Sequence, residues 1–256
     1  MINRKKWFLL FSACLCMSIS QLKAQDKNTL LQEAQNLERQ FKDGEALEKY
    51  KTLANADTTN IPVLLKAAEL SCAVGGRIAD KNARKPYYDQ AAGFAAKAIA
   101  AAPQNPQANY VMALVAGRMT EVETENKKII AYVKQIKEYG DKAISLNPSF
   151  GKAYYLVGKW HSEMVNLAWF KKAAIKTIYG GMPAASIDSA ITYMEKCRTL
   201  EPYYVLNYLD LAKAYKAEDK PAKAIEVLNK LVKLPTRTAD DNAFKAEGKK
   251  MLESMQ

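Results

Sequence analysis

The chain has 256 residues, of which 49% are hydrophobic and 25% charged, with a formal net charge of +11. That apolar content excludes a disordered chain and suits the packed core of one or two domains. The basic balance favours acidic surfaces but does not mark a nucleic-acid binder, and none is expected.

Residues 1–24 contain no acid, open with Arg4, Lys5 and Lys6, and carry the apolar run WFLLFSACLCMSIS before QLKA. This predicts a secretory signal peptide cleaved near Ala24, because the run is too short to span a membrane. A retained anchor and a lipid-anchored variant through Cys14 are the alternatives. Removal takes away Arg4, Lys5, Lys6 and Lys23 and no acid, so the charge falls from +11 to +7. The expected location is outside the cytoplasm, in the periplasm. Cys72 and Cys197 remain, both on apolar helix faces; buried thiols are expected, with a single bridge as the other reading.

Beyond the leader every periodic stretch reads as helix. Leu30, Ala34 and Leu37 form one apolar stripe, and Ala46, Tyr50 and Leu53 form the next, with Asp43-Gly44 expected between them. Asn60 with Pro62, Asn105 with Pro106 and Asp219 with Pro221 suit helix starts. Thr120-x-x-Glu123 matches a capping box, which predicts a helix beginning near Glu121. Gly75-Gly76 and Gly180-Gly181 are expected breaks, and Thr238 is expected to cap a last helix. No run has the period of a strand, so the class is all-α.

Two positions align along the chain. Ala34, Ala68, Ala113, Gly158 and Ala212 occupy the small site of a first helix, and Ala46, Ala91, Ile136, Ala190 and Ala224 that of a second. From Ala46 to Ala68, Ala91 to Ala113, Ile136 to Gly158 and Ala190 to Ala212 the spacing is always 22. Within the pairs it is 12, 23, 23, 32 and 12. The junction between pairs keeps register because each pair buries a face on the next, while the turn inside a pair is free to grow. An insertion of 11 residues is about three helical turns, so it lengthens both helices without rotating their buried faces.

A spacing of 12 between small residues and a proline near the end of the second helix resemble the tetratricopeptide (TPR) repeat, a helix pair of about 34 residues. The resemblance implies a right-handed superhelical stack. Five antiparallel pairs are expected at about 27–58, 61–103, 105–148, 150–202 and 204–236, with a capping helix at about 239–254. From Pro148 to about Met255 the chain resembles more specifically the TPR proteins called regulators of microtubule dynamics. The features that carry this are LVGKW at Leu156–Trp160, LAW at Leu167–Trp169, MPAASIDSAI at Met182–Ile191, Glu201-Pro202 and KLP at Lys233–Pro235. The resemblance implies the architecture and a binding role, with microtubule binding implied by the family name alone; the leader and its KAQ junction, where the chain departs from the family, point to a bacterial exported homologue.

Catalytic signals are absent from the sequence. His161 is the single histidine and has no ligand spacing or nucleophile motif around it, and the glycine pairs lack the lysine of a phosphate loop. Neither catalytic residues, nor a metal, nor a cofactor is expected. The chain reads as a scaffold for a protein or peptide. Tyr155, Lys152 and Lys159 share one face of a helix, and Lys213, Lys216 and Arg118 hold similar positions in neighbouring pairs. They predict a cationic concave groove for an acidic or C-terminal carboxylate segment. The alternative is an accessory subunit that docks on a membrane or an enzyme through an exposed part of the apolar insertion 164–179; the other reading of that stretch, and the expected one, is that the first helix runs on to about Tyr179 and packs on the helices beside it.

Overall fold

Alanine at the crossing points lets helix axes approach closely, and the structure places those alanines where the helices meet. The structure, a computed structural model, describes residues 26–167, 176 and 184–255. Among these residues there is helix and no strand: α1 (26–39), α2 (Asp43–Ala56), α3 (Ile61–Gly76), α4 (Lys81–Ala101), α5 (Pro106–Val122), α6 (Asn126–Leu146), α7 (Gly151–Asn166), α8 (Ile187–Leu200), α9 (Val205–Ala217), α10 (Pro221–Leu231) and α11 (Asp241–Glu253). From α2 onward each helix packs on the next, and the first helices of successive pairs, α3, α5, α7 and α9, also touch in series. The chain is therefore a TPR-like helical stack. None of its described helices is long and apolar enough to cross a membrane.

Nine of the ten aligned small positions are buried. Gly158 shows why they are small: a Cβ there would lie 2.9 Å from Met194 Cγ and 3.1 Å from the Ala190 carbonyl oxygen on α8. Ile136 is the exception. It is half-buried, and its Cδ1 faces Gly117 on α5, so one large residue packs where its partner helix is bare. The extra residues of the second and third pairs lengthen helices, as their spacing implies. α4 and α6 have 21 residues each, against 14 in α2 and 11 in α10.

The two short pairs turn in the same way. Phe41 and Asp219 take φ values of 60° and 54°, and the next N–H in each case returns to the helix, Lys42 to Leu37 O and Lys220 to Tyr215 O. Each sits seven positions after its aligned alanine, Ala34 or Ala212. The expected break at Asp43-Gly44 thus lies earlier, because Phe41 makes the turn and Asp43 already begins α2. Asp219 likewise ends α9 rather than starting α10.

Asn60 and Asn105 do cap their helices, accepting from Val63 N at 3.3 Å and from Gln107 N and Ala108 N at 2.9 and 3.0 Å. The capping box at Thr120 does not form. Thr120 lies in the last turn of α5 and donates to Gly117 O, while Glu123 accepts from the N–H groups of Thr124 and Glu125 in the turn before α6. At the last helix the roles are reversed: the Asp241 carboxylate accepts from Arg237 N, Thr238 N and Thr238 Oγ1. α7 does not run on to Tyr179. It stops at Asn166, and Leu167 is extended with ψ 138°. The remainder of the insertion, including Trp169, lies outside the described residues except for Lys176, and so does Gly180-Gly181 after it.

Cys72 and Cys197 are buried free thiols. Burial pushes the Cys72 thiol up to about 12 and the Cys197 thiol up as well, so neither is a thiolate at neutral pH.

Candidate functional site

The first helices touch in series, which brings faces of α5, α7 and α9 side by side. A groove of about 700 Å³ lies along them, bounded by α5, α6, α7, α9 and α11. Its wall is apolar: Leu114, Ile136, Leu156, Leu206 and Phe244 reach it half-buried, from five different helices. Trp160 lies deeper, its indole N–H donating to Val133 O at 3.0 Å, with Ile130 and Met164 packed beside it.

The floor carries charge. Asp210 of α9 has a side chain only 5% exposed. It accepts from Tyr155 Oη at 2.8 Å, lies 3.2 Å from Lys159 Nζ, and lies 3.5 Å from Lys213 Nζ. Each lysine is tied outward to a second acid, Lys159 to Glu163 at 3.0 Å and Lys213 to Glu247 at 2.8 Å. The result is a row of alternating charge, Glu163–Lys159–Asp210–Lys213–Glu247, that crosses the groove from α7 through α9 to α11. Burial opposes the charge of Lys159, but Asp210 and Glu163 outweigh it and raise its pKa above the ordinary lysine value. Burial and the Asp210 carboxylate push the Tyr155 phenol well up, so it stays a neutral donor.

A second knot holds Arg118. Its Nη1 donates to Glu121 at 2.8 Å, and Glu121 also receives Arg84 at 3.2 Å and Tyr88 Oη at 2.9 Å. Burial works against the Arg118 charge and Glu121 restores it, raising its pKa on balance.

Of the six residues predicted to bind, the groove brings together Arg118, Tyr155, Lys159 and Lys213. Lys152 and Lys216 are exposed and do not line it; the Lys152 ammonium sits 5.9 Å from the Tyr204 ring centroid. The expected cationic character is corrected by the acids in the same lining. Arg118, Lys159 and Lys213 share it with Glu121, Glu163, Asp210 and Glu247. Tyr155 is buried and committed to Asp210, so it supports the floor instead of offering its hydroxyl.

Sequence reasoning missed the acids. The available signal was Asp210 within VLNYLDLA, a carboxylate inside an apolar stripe, three residues before Lys213. His161 does not line the groove; it is buried, with its ring 5.5 Å from that of Tyr193. Among the described residues no group of His, Cys, Asp and Glu is arranged to hold a metal. What the site offers is shape, apolar surface and fixed charge.

Comparison with known proteins places this architecture. The family model described as "Regulator of microtubule dynamics protein 1-3" matches residues 30–256. The chain belongs to this family. It is 30% identical over 173 residues to the human regulator of microtubule dynamics protein 2, covering 67% of this chain and 42% of that protein. It is 29% identical over 119 residues to protein 1 of Caenorhabditis elegans, covering 46% of this chain and 53% of the relative. The chain thus spans about two-fifths of the length of the human relative. Among solved structures, a thermophilic TPR protein from Thermus thermophilus superposes with a TM-score of 0.63. It covers 87% of this chain and 98% of its own at 13% identity, a likeness of fold.

Proposed function

We propose that the protein is an exported, non-enzymatic scaffold whose inner groove holds a segment of a partner protein. The observation that carries this reading is the groove itself. It is an apolar trough of about 700 Å³ whose five-helix wall leaves Leu114, Leu156 and Leu206 half-exposed beside fixed charges. Grooves of this kind take apolar side chains of a peptide as anchors and use a few placed charges to set register. Its charged groups are engaged in ion pairs and hydrogen bonds that stabilise structure. Export is supported by the basic start and short apolar run of residues 1–24. The relatives' names speak of microtubule dynamics; the role proposed for this chain rests on the groove and not on those names.

Affinity capture tests the role. The full chain and a Leu156→Arg/Leu206→Arg variant serve as baits in envelope extract, after circular dichroism has shown both to be folded. A partner retained by the full chain and lost by the variant is the expected result; equal retention contradicts groove binding. For location, residues 1–30 fused to a reporter active only outside the cytoplasm should give activity, and an inactive, stable fusion would refute export.

A further inference from the structure

Among the described residues the groove has an electrical sign opposite to that of the chain. Lys and Arg outnumber Asp and Glu by 38 to 27 over the whole sequence, yet the described residues of the groove lining hold four acids and three bases. The accessible charge is more one-sided than the count suggests. Lys159 and Lys213 each lie between two carboxylates, and Arg118 is held by Glu121. Glu121 in turn is filled by Arg84, Arg118 and Tyr88. Asp210 is filled by Tyr155 and the two lysines. The outermost members of the row are Glu163 and Glu247, whose side chains are 64% and 55% exposed. A carboxylate has about four lone-pair sites, and each of these two spends few of them on its lysine.

An acidic ligand meets a physical obstacle here. To reach Lys159 or Lys213 it must share them with Asp210, whose buried carboxylate cannot turn to water for compensation. Removing a partner from a buried charge is costly, whereas adding a cation beside Glu163 and Glu247 leaves the floor intact. The apolar wall then sets the other requirement. Leu156 and Leu206 face the trough from α7 and α9, the two helices that carry all of the charged row except Glu247.

We propose, building on the groove reading above, that the segment held there is a basic amphipathic stretch of a partner protein. Its apolar residues rest on Leu156, Leu206 and Phe244, and a Lys or Arg side chain reaches Glu163 and Glu247. This reverses the charge expected of the partner from the lysines alone, because the sequence shows the cations and the fold brings in the anions that consume them.

Two fluorescein-labelled peptides of about four helical turns test the assignment. They share one leucine pattern and carry either Lys or Glu at every polar position. Fluorescence anisotropy of each is measured with the full chain, with Glu163→Gln/Glu247→Gln, and with Leu156→Gln/Leu206→Gln. The expected result is about tenfold tighter binding of the Lys peptide. That preference is lost in the glutamate variant, and both affinities fall in the leucine variant. Tighter binding of the Glu peptide, with dependence on the leucines, overturns the basic partner and leaves the groove standing. A Lys preference that survives Glu163→Gln/Glu247→Gln also overturns the assignment while leaving the groove. Binding that ignores the leucine substitutions, or no binding of either peptide, overturns the groove reading too.

Discussion

Arg77 and Asp240 are 163 residues apart and meet in a two-pronged ion pair, Nε to Oδ1 at 2.6 Å and Nη2 to Oδ2 at 2.9 Å. Arg77 follows the last turn of α3, and Asp240 precedes α11. The same guanidinium also binds Asp43 at the start of α2, so one side chain joins the first pair, the second pair and the terminal helix. α11 packs on α9 and α10 and supplies Phe244 and Glu247 to the groove. The pair therefore ties the helix at one edge of the groove to the opposite end of the stack.

Arg77→Ala should lower unfolding stability by about 1–2 kcal/mol, since the pair is charge-assisted yet partly exposed. Salt should destabilise the parent chain more than the variant. Hydrogen exchange should quicken in α11 ahead of α9. Urea midpoints at low and high salt decide the first two points, and equal salt sensitivity would show that the pair contributes nothing.

Tyr155→Phe removes the hydroxyl that donates to Asp210 at 2.8 Å in a buried place. The expected cost is about 1–3 kcal/mol, because the carboxylate loses a donor it cannot replace with water. A cycle with Asp210→Asn isolates the coupling. If the two losses simply add, the hydroxyl does not serve Asp210.

Two glycines should respond in opposite directions. At Gly158 a Cβ would meet Ala190 O at 3.1 Å and Tyr193 Cβ at 3.2 Å, so Gly158→Leu should cost on the order of 1–3 kcal/mol or more. At Gly93, within α4, a Cβ would meet nothing within 4 Å, and Gly93→Ala should stabilise by up to about 1 kcal/mol through helix propensity. Denaturant titrations of both variants check this. A neutral Gly158→Leu would place the α7–α8 contact elsewhere.

His161 predicts a pH dependence. Burial and the nearby Lys137 lower its pKa below the ordinary 6.5, with Asp141 acting weakly the other way. The unfolded chain therefore takes up the proton first as pH falls through about 6.5, so the histidine contributes instability on the acid side and nothing above it. Urea midpoints should drop between about pH 7.5 and 5.5 in the parent chain, and drop less in His161→Phe. Parallel curves for the two proteins would mean that His161 titrates alike folded and unfolded.

The stack was legible because its signal is repetitive. A 22-residue junction kept four times needs no side-chain detail, and the alanines at its ends are buried. Turns were less legible. Phe41 and Asp219 occupy a left-handed position that glycine usually marks; aspartate tolerates it, but phenylalanine gives no sign of it. At Thr120 the capping-box pattern coincided with a helix end, and the hydroxyl bonded back to Gly117 O instead. The groove's location was readable from Tyr155, Lys159, Lys213 and Arg118, whose positions repeat with the helices. Its charge was not, since Glu163 and Glu247 pair with those lysines only once α7, α9 and α11 are folded together.

The central claim is that a partner segment lies in the groove, and site-specific photo-cross-linking addresses it most directly. Benzoylphenylalanine is introduced singly at Leu114 and Leu206, which face the groove, and at Lys97, which is exposed on α4 outside its lining. Irradiation in the presence of the captured partner should give adducts at positions 114 and 206 and none at 97. Adducts confined to 97, or equal at all three positions, would contradict the account.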